Sequence, residues 1–379
     1  MDNNTADRPG VGATTHWLSM QAQELVENQK VIQVDSQATI HEACDLLIKH
    51  NIQSLPLYDS QNRSYIGMFD LHDLATYILM NKRQHIEPPS SPSTSSPLAR
   101  MAVERRSSEQ VSKLSDLSQM NPFYSVVPET TVAQIAAVFA KGAHRVAVMQ
   151  SEREILGILS QARIIRYFYE HAEEPHISSQ ELTLLDRSLK DLGLVTHDIV
   201  VATPTTPVIQ ALSMLERWHI SSIAIVEDNR IVGNLSVTDI KYLIMDKSLV
   251  NGTCMELVQK VRFVQGVQDG QDRAAVFAVR PEATLRYAMT KMIATGAHRV
   301  WITEPQGAEQ PDMSPRPRYR RASVSSASSQ TVPIAPAHYA GAFDDSVCGI
   351  VSLTDVLRLL VENGPKPTPD PSYNYASMD

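Results

Sequence analysis

The sequence has few cysteines, and their spacing forms no recognisable site. Its 379 residues include three, Cys44, Cys254 and Cys348, with neither C-x-x-C nor Cys/His spacing. An odd, widely spaced set indicates neither a disulfide framework nor a zinc centre. We expect all three thiols to pack as small hydrophobic groups.

Long apolar runs are missing as well. No stretch approaches the roughly 20 apolar residues that a membrane-spanning helix needs, and the first ten residues, MDNNTADRPG, are polar where a secretory signal is apolar. The sequence therefore predicts a protein of the cytoplasm and the nucleus that has no membrane partner. Its net charge of −8, spread along the chain, argues against a nucleic-acid partner.

Motifs of catalytic centres are missing too. The chain contains no G-x-x-x-x-G-K-[ST], no G-x-S-x-G, no metal-ligand spacing and no kinase signature. With 43% hydrophobic and 20% charged residues, its length suits about two globular domains of roughly 150 residues each. These observations predict a protein that is not an enzyme and that requires no cofactor.

What the chain does contain is one small unit repeated four times. Each copy has an apolar strand, a polar turn, a second strand with a central Gly, and an amphipathic helix. The four hairpins begin at Leu55, Arg145, Ile223 and Arg299. Alternating Val, Ile and Leu on either side of a polar turn is typical of a β-hairpin. A helix that starts at Thr or Ser precedes each hairpin, so every copy is predicted to be an α/β unit of the form β-α-β-β-α.

The repeats divide the chain into segments of different composition. In repeat 4, 56 positions separate Arg299 from Asp355, whereas the matching span in repeat 2 is 18. The excess is rich in Pro, Ser, Ala and Gly, which predicts a disordered insertion at 305–345. The predicted segments are a disordered N-terminus at 1–16, repeat 1 at 17–83, a Ser/Pro-rich linker at 84–112, repeat 2 at 113–171, repeat 3 at 186–246, repeat 4 at 255–361 and a flexible tail at 362–379.

A hairpin that ends in G-h-h-[ST]-x-x-D, where h is apolar, resembles the cystathionine-β-synthase-type (CBS) module. Four copies in one chain resemble two families. One is the fungal Moc/Sds family of four-CBS cell-cycle and stress regulators, and the similar strings are NPFY at 121–124, GILSQARIIRY at 157–167 and GNLSVTD at 233–239. The other, more distant, is the gamma subunit of AMP-activated protein kinase, which is similar in its AHR motifs, here at 143–145 and 297–299.

The resemblance implies both an architecture and a function. Repeats one and two, and three and four, would form two Bateman pairs packed as a disc by helix faces such as Ile164/Phe168 and Leu359/Leu360. Members of the Moc/Sds family are inhibitors of type 2A-related protein phosphatases that link nutrient or stress state to cell-cycle progression. The alternative is an adenylate-sensing gamma-like subunit with kinase subunits as partners. The ligand implied is an adenine nucleotide (AMP, ADP or ATP) acting as a regulator.

A carboxylate follows the second hairpin strand in three repeats, at Asp73, Asp239 and Asp355. In that place it either caps free N–H groups of the helix or accepts both hydroxyls of a ribose. Ser236 and Ser352, three residues earlier, would face the same cleft. The residues that flank Asp73, FDLH, depart from the pattern.

Cationic and imidazole side chains recur at the start of the hairpins. His144 and Arg145 in repeat 2 match His298 and Arg299 in repeat 4. In the gamma subunit similar residues grip nucleotide phosphates, a task that suits the planar fork of Arg; the alternative is a salt bridge between modules or a satisfied polar core. Arg163 replaces the carboxylate of repeat 2, which should abolish one ribose site and leave a cation for a phosphate in the neighbouring cleft.

Phosphorylation motifs lie in the two Ser-rich segments. Arg-Arg precedes serines at 105–108 and 320–323, as basic-directed kinases prefer, and three Ser-Pro pairs fit proline-directed kinases. Added phosphate would change the charge of these segments. The candidates are Ser91, Ser96, Ser108, Ser314 and Ser323.

Overall fold

The structure is a computed structural model that describes residues 16–86, 110–269, 276–305, 318–321 and 345–364. Within these ranges the chain forms four β-α-β-β-α units. None of the described helices is long and apolar enough to cross a membrane. Cys44, Cys254 and Cys348 are free and buried, as predicted, and burial raises the pKa of each thiol to about 12.

Repeats 1 and 2 each build a three-stranded sheet. In both, the first strand pairs parallel with the second, and the second and third form an antiparallel hairpin. The strands are β1 (Val34–Asp35), β2 (Ser54–Asp59), β3 (Ser64–Asp70), β4 (Ser125–Val126), β5 (Arg145–Ser151) and β6 (Glu154–Ser160). The helices are α1 (Ala22–Val26), α2 (Ile40–Lys49), α3 (Leu71–Ile86), α4 (Val132–Ala140) and α5 (Gln161–Glu170).

Repeats 3 and 4 share one seven-stranded sheet in the order β10-β11-β13-β9-β8-β7-β12, in which β13 meets β9 at Ser346 and Arg230. Its strands are β7 (Asp198–Ala202), β8 (Ser222–Glu227), β9 (Arg230–Ser236), β10 (Ala278–Val279), β11 (Arg299–Pro305), β12 (Arg318–Arg321) and β13 (Asp345–Ser352). The helices are α6 (Ser179–Leu185), α7 (Val208–Arg217), α8 (Lys241–Met245), α9 (Cys254–Asp269), α10 (Leu285–Thr295) and α11 (Leu353–Asn363).

Side-chain caps start the helices that precede the hairpins, as the sequence predicts. Thr39 and Thr131 each accept a hydrogen bond from the third backbone N–H of the helix, and Thr284 does so at the start of α10. Each satisfies a donor that the first helical turn leaves open. At the other end of α10, Gly296 has φ +66°, the left-handed conformation that ends a helix most readily at glycine.

The repeats of each pair are joined by exchange of segments, each of which precedes the first strand of its own repeat. The segment before repeat 1 packs on repeat 2, where Ala22 N donates to Thr130 O at 2.8 Å, and the segment before repeat 2 packs on repeat 1, where Val111 N donates to Ala38 O at 2.8 Å. Repeats 3 and 4 repeat this exchange, through Leu189 with Ala283 and Cys254 with Thr206. The predicted pairing of one with two and three with four is confirmed.

The two pairs pack together as a disc through their helices. One apolar cluster joins repeats 2 and 4, and a second joins repeats 1 and 3. In the first cluster α11 lies against α4 and α5. Ile164, Phe168 and Leu360 are fully buried there, and Leu359 packs against them partly buried, as predicted. The helix faces that were expected to hold the disc therefore do so.

The structure shows ordered residues inside the predicted disordered insertion and inside the predicted linker. Arg318–Arg321, inside the predicted insertion 305–345, form β12 and pair parallel with β7. An open sheet edge offers backbone hydrogen bonds that composition does not reveal. Val111, inside the predicted linker 84–112, is fully buried. Most of both segments lies outside the described residues, as do the five phosphorylation candidates Ser91, Ser96, Ser108, Ser314 and Ser323.

Candidate functional site

A cavity of about 230 Å³ lies where the four repeats meet. The residue just before the first hairpin strand lines it in every repeat: Gln53, His144, Ser221 and His298. The sequence repeat therefore becomes a ring of equivalent positions around one space. Ten residues were predicted to bind a nucleotide, and seven of them line this cavity: His144, Arg145, Ser236, Asp239, His298, Arg299 and Ser352.

Three arginines, Arg145, Arg262 and Arg299, line the cavity. Arg299 donates from Nη2 to Ser221 Oγ. Burial lowers the pKa of Arg299 to about 10, against the opposing effect of Asp355, and burial also lowers the pKa of Arg145, against Asp70 and Asp73. A guanidinium with a pKa of about 10 is still protonated at neutral pH. We conclude that Arg299 and Arg145 hold positive charge at the centre of the disc.

The histidines are neutral donors and acceptors instead. Burial, with the charge of Arg145 as the next cause, lowers the pKa of His144 to about 3, and burial with Arg299 lowers that of His298 to about 4. His144 Nδ1 lies 2.6 Å from Asn121 Oδ1. Because an amide oxygen only accepts, this ring nitrogen carries the proton. His298 Nε2 lies 3.4 Å from the Gln53 amide nitrogen, from which it accepts.

Asn121, of the NPFY string, contacts two of the residues that line the cavity, His72 and His144. Its amide nitrogen donates to Asp70 Oδ2 and lies 3.2 Å from His72 Nδ1. His72 stacks on His144 with ring centroids 6.3 Å apart and planes 2° from parallel. Among the described residues His72 Nε2 is buried without a hydrogen-bond partner. His72 Nδ1 also lies 3.5 Å from Asp70 Oδ2.

Asp239 is the carboxylate that reaches the cavity. Ser236 N donates to Asp239 Oδ2 at 2.7 Å, which completes a capping box at the start of the short 3-10 helix Val237–Ile240 that precedes α8. Within the described chain Oδ1 accepts no hydrogen bond from another residue. Burial raises the pKa of Asp239 to about 6, so the group is mainly ionised at neutral pH. One oxygen therefore caps the helix while the other is available to a ligand.

Asp73 lies away from the cavity, contrary to prediction. Its Oδ2 accepts from Asp70 N at 3.0 Å and its Oδ1 from Ser118 N at 2.9 Å, and the residue is only 2% exposed. Burial and the charge of Asp70 raise its pKa to about 7. Both oxygens are thus engaged by backbone N–H groups. Asp73 anchors the segment that precedes repeat 2, and it has no free acceptor for a ribose.

Arg163 and Asp355 also lie outside the cavity lining. Arg163 donates from Nε to Leu25 O at 3.1 Å, so this cation holds the exchanged segment of repeat 1 and does not face a phosphate site. Asp355 caps α11 by accepting from Ser352 N at 2.8 Å and lies 3.7 Å from Arg358. The phosphate-binding role predicted for Arg163 and the ribose-binding role predicted for Asp355 find no support in this geometry.

The space beside a glycine of the second hairpin strand distinguishes repeat 3 from the other repeats. The equivalent residues are Gly67, Gly157, Gly233 and Gly349. In repeats 1, 2 and 4 an added Cβ would overlap Ser115, Gln29 or Val195 of the exchanged segment. At Gly233 the exchanged segment is the helix α9, whose nearest atom, Val258 Cγ1, would lie 3.5 Å from that Cβ. The helix stands off from the strand where the other segments press against it.

Sequence reasoning missed the apolar side of the cavity. Val258 and Val261 of α9, together with Phe277 and Trp301, line it beside the polar residue Asn234. Gln53 and Ser221 were also missed, although alignment of the repeats places both at the position of His144. Val258 has a counterpart in Val26 of the shorter helix α1, but α1 ends there, so no comparable signal marks Val261.

The family model described as "CBS domain" matches residues 23–80, 114–170 and 189–246. The structure adds the interrupted fourth unit, whose described part is 276–305 and 345–364. The chain is 30% identical over 371 residues to Protein sds23 of Aspergillus niger, which covers 90% of this chain and 72% of that protein.

A second relative, Protein SDS23 of Kluyveromyces lactis, is 28% identical over 370 residues, covering 92% of this chain and 64% of the relative. The chain therefore spans less than two thirds of the length of that protein. Among solved structures, protein MJ1225 of Methanocaldococcus jannaschii, described as a proposed archaeal homologue of gamma-AMPK, superposes with a TM-score of 0.59. The match covers 89% of this chain and 99% of that one at 14% identity, a likeness of fold.

Proposed function

The chain belongs to the SDS23 family of CBS-domain proteins, and from this premise we propose that it is a non-catalytic regulator whose central cavity binds an adenine nucleotide. The observation that carries the proposal is the convergence of Arg145, Arg299 and Asp239 on one cavity. Guanidinium groups match phosphate oxygens in pairs, and a carboxylate accepts the two hydroxyls of a ribose. Neutral His144 and His298 add hydrogen-bonding capacity without competing charge.

The protein partner in this proposal is a type 2A-related protein phosphatase. The protein inhibits that enzyme and links nutrient or stress state to cell-cycle progression, acting in the cytoplasm and the nucleus. The support is the sequence resemblance, which extends over most of the chain. The cavity lies at the junction of all four repeats, so a ligand there contacts both pairs and can alter how they present a surface to the partner.

A kinase regulatory subunit is the second candidate. The observation that favours it is that the two AHR motifs, in repeats 2 and 4, face one cavity in a fold shared with the archaeal protein. Copurification from the native cell separates the two functions. We expect the catalytic subunit of a type 2A-related phosphatase, and recovery of kinase catalytic subunits in its place would refute the phosphatase assignment.

Calorimetry with AMP, ADP and ATP tests the ligand. Wild-type protein should release or absorb heat on binding, and Arg299→Ala should weaken the affinity at least about tenfold, since a charge-assisted hydrogen bond is worth roughly 1.5–3 kcal/mol. Arg358→Ala removes an exposed arginine outside the cavity and serves as the control. No heat at millimolar nucleotide would mean that this protein does not bind adenine nucleotides and regulates its partner without one.

A further inference from the structure

The lining of the cavity mixes charged and apolar side chains, and they suit different parts of a ligand. Asp239, Arg145 and Arg299 are charged, and α9 contributes Val258 and Val261 together with Arg262. Such surfaces favour a flat ring, which is buried at little cost if its polar edge atoms find partners. Asn234, within β9, lines the cavity with them, two residues before Ser236.

The orientation of the Asn234 amide is fixed by its neighbour. Trp301 donates from Nε1 to Asn234 Oδ1 at 3.0 Å. Because an indole N–H can only donate, the oxygen of the amide must face Trp301 and the NH₂ group must face away. Trp301 itself is 3% exposed and packs against Ile199, Val201 and Ala224, so it holds this geometry firmly.

The NH₂ group of Asn234 is therefore committed as a donor. Within the part of the chain that the structure describes, it donates to no protein atom. A donor left without an acceptor when a ligand excludes water is costly, so a ligand that fills this side of the cavity must present an acceptor there. Ring nitrogens on the edge of a purine are acceptors of this kind.

We propose that Asn234 is the residue that reads the base, donating from Nδ2 to a ring nitrogen of the bound purine while Trp301 sets the direction of the amide. The inference rests on the proposed nucleotide site and adds a requirement on the base of the ligand. A nucleotide binds in full strength only if its base carries that acceptor. A ribose phosphate without a base, or with an apolar ring, lacks a partner for Asn234.

Atom-deleted nucleotides test the inference directly. Three AMP analogues in which carbon replaces ring nitrogen N1, N3 or N7 are compared with AMP by calorimetry on the wild-type protein. One of the three should bind at least tenfold more weakly. Asn234→Leu, which lacks the donor, should bind that analogue and AMP with equal affinity, and its affinity for AMP should match that of the wild type for the analogue.

The outcomes separate the inference from the function on which it rests. If the wild type binds AMP and all three analogues alike, or if Asn234→Leu still discriminates, Asn234 does not read the base although the nucleotide site stands. If the wild type binds no AMP, both ideas are overturned. A thermal melt shows whether Asn234→Leu is folded, and Trp301→Phe provides a second variant, in which the freed amide should reduce the discrimination at least threefold.

Discussion

Replacing Asp239 by Asn should impair nucleotide binding, whereas the same change at Asp355 should not. The two carboxylates are matched, since each accepts from the backbone N–H of a serine three residues earlier, at 2.7 Å from Ser236 and 2.8 Å from Ser352. Only Asp239 lines the cavity. The two share the capping role, while Asp355 also accepts from Ser352 Oγ at 2.6 Å and lies 3.7 Å from Arg358.

The magnitude follows from the hydrogen bonds that a ribose makes with a carboxylate. A hydrogen bond to a charged group contributes about 1.5–3 kcal/mol, and an amide keeps one acceptor oxygen but loses the charge. Asp239→Asn should therefore weaken AMP binding about 10- to 100-fold, and Asp355→Asn less than about twofold. Both variants keep an acceptor for the serine N–H, so each should lose less than about 1 kcal/mol of unfolding free energy.

The assay is calorimetric titration with AMP, paired with urea denaturation of each variant. Equal losses of affinity in both variants would refute the assignment of the ribose to Asp239, because the cavity geometry would then not be what decides binding. A large stability loss confined to Asp239→Asn would also count against it, since weaker binding would then reflect damage to the fold.

Further outcomes follow from other parts of the structure. Since burial raises the pKa of Asp239 to about 6, the accepting carboxylate is lost as pH falls, and AMP affinity should drop about tenfold more between pH 7.5 and 5 in the wild type than in Asp239→Asn, measured by the same titration. Gly157→Ala should cost about 1–3 kcal/mol in urea melts because its Cβ meets the segment before repeat 1, and Gly233→Ala should cost less; equal costs would contradict the open cleft. Glu181→Ala leaves the buried indole N–H of Trp17 without its acceptor and should cost about 3–5 kcal/mol, well above the cost of Glu42→Ala at an exposed capping residue; equal urea melts of the two variants would contradict a role for the buried carboxylate.

The sequence predicts the parts of the fold that depend on local pattern. Alternation in the hairpins and helix caps at Thr39 and Thr131 are visible within a few tens of residues and predict the repeated units, whereas their pairing is implied by the family resemblance. The same logic places His144 and His298 in one cavity, because equivalent positions of repeated units converge when the units pack around a centre.

Remote contacts explain where prediction failed. Asp73 and Asp239 stand in the same local motif. The backbone N–H of Ser118, 45 positions away, donates to Asp73 Oδ1, and among the described residues Asp239 has no such partner. Arg163 is held by a carbonyl 138 positions earlier in the chain. No single repeat contains this information. It comes from the segments that the repeats exchange, and their course over the neighbouring unit is set by packing.

That exchange has a consequence for how the chain is made and inherited. Residues 22–26 pack on the core of repeat 2 and residues 111–114 on that of repeat 1, so repeat 1 lacks part of its core until synthesis has passed residue 114, and repeat 2 until about residue 170, the end of α5. A nascent first repeat waits on the ribosome with its apolar face open, where chaperones or aggregation compete for it. For the same reason a gene that loses one repeat also deprives its neighbour of a piece of its core. We therefore expect genes of this kind to gain or lose repeats in pairs.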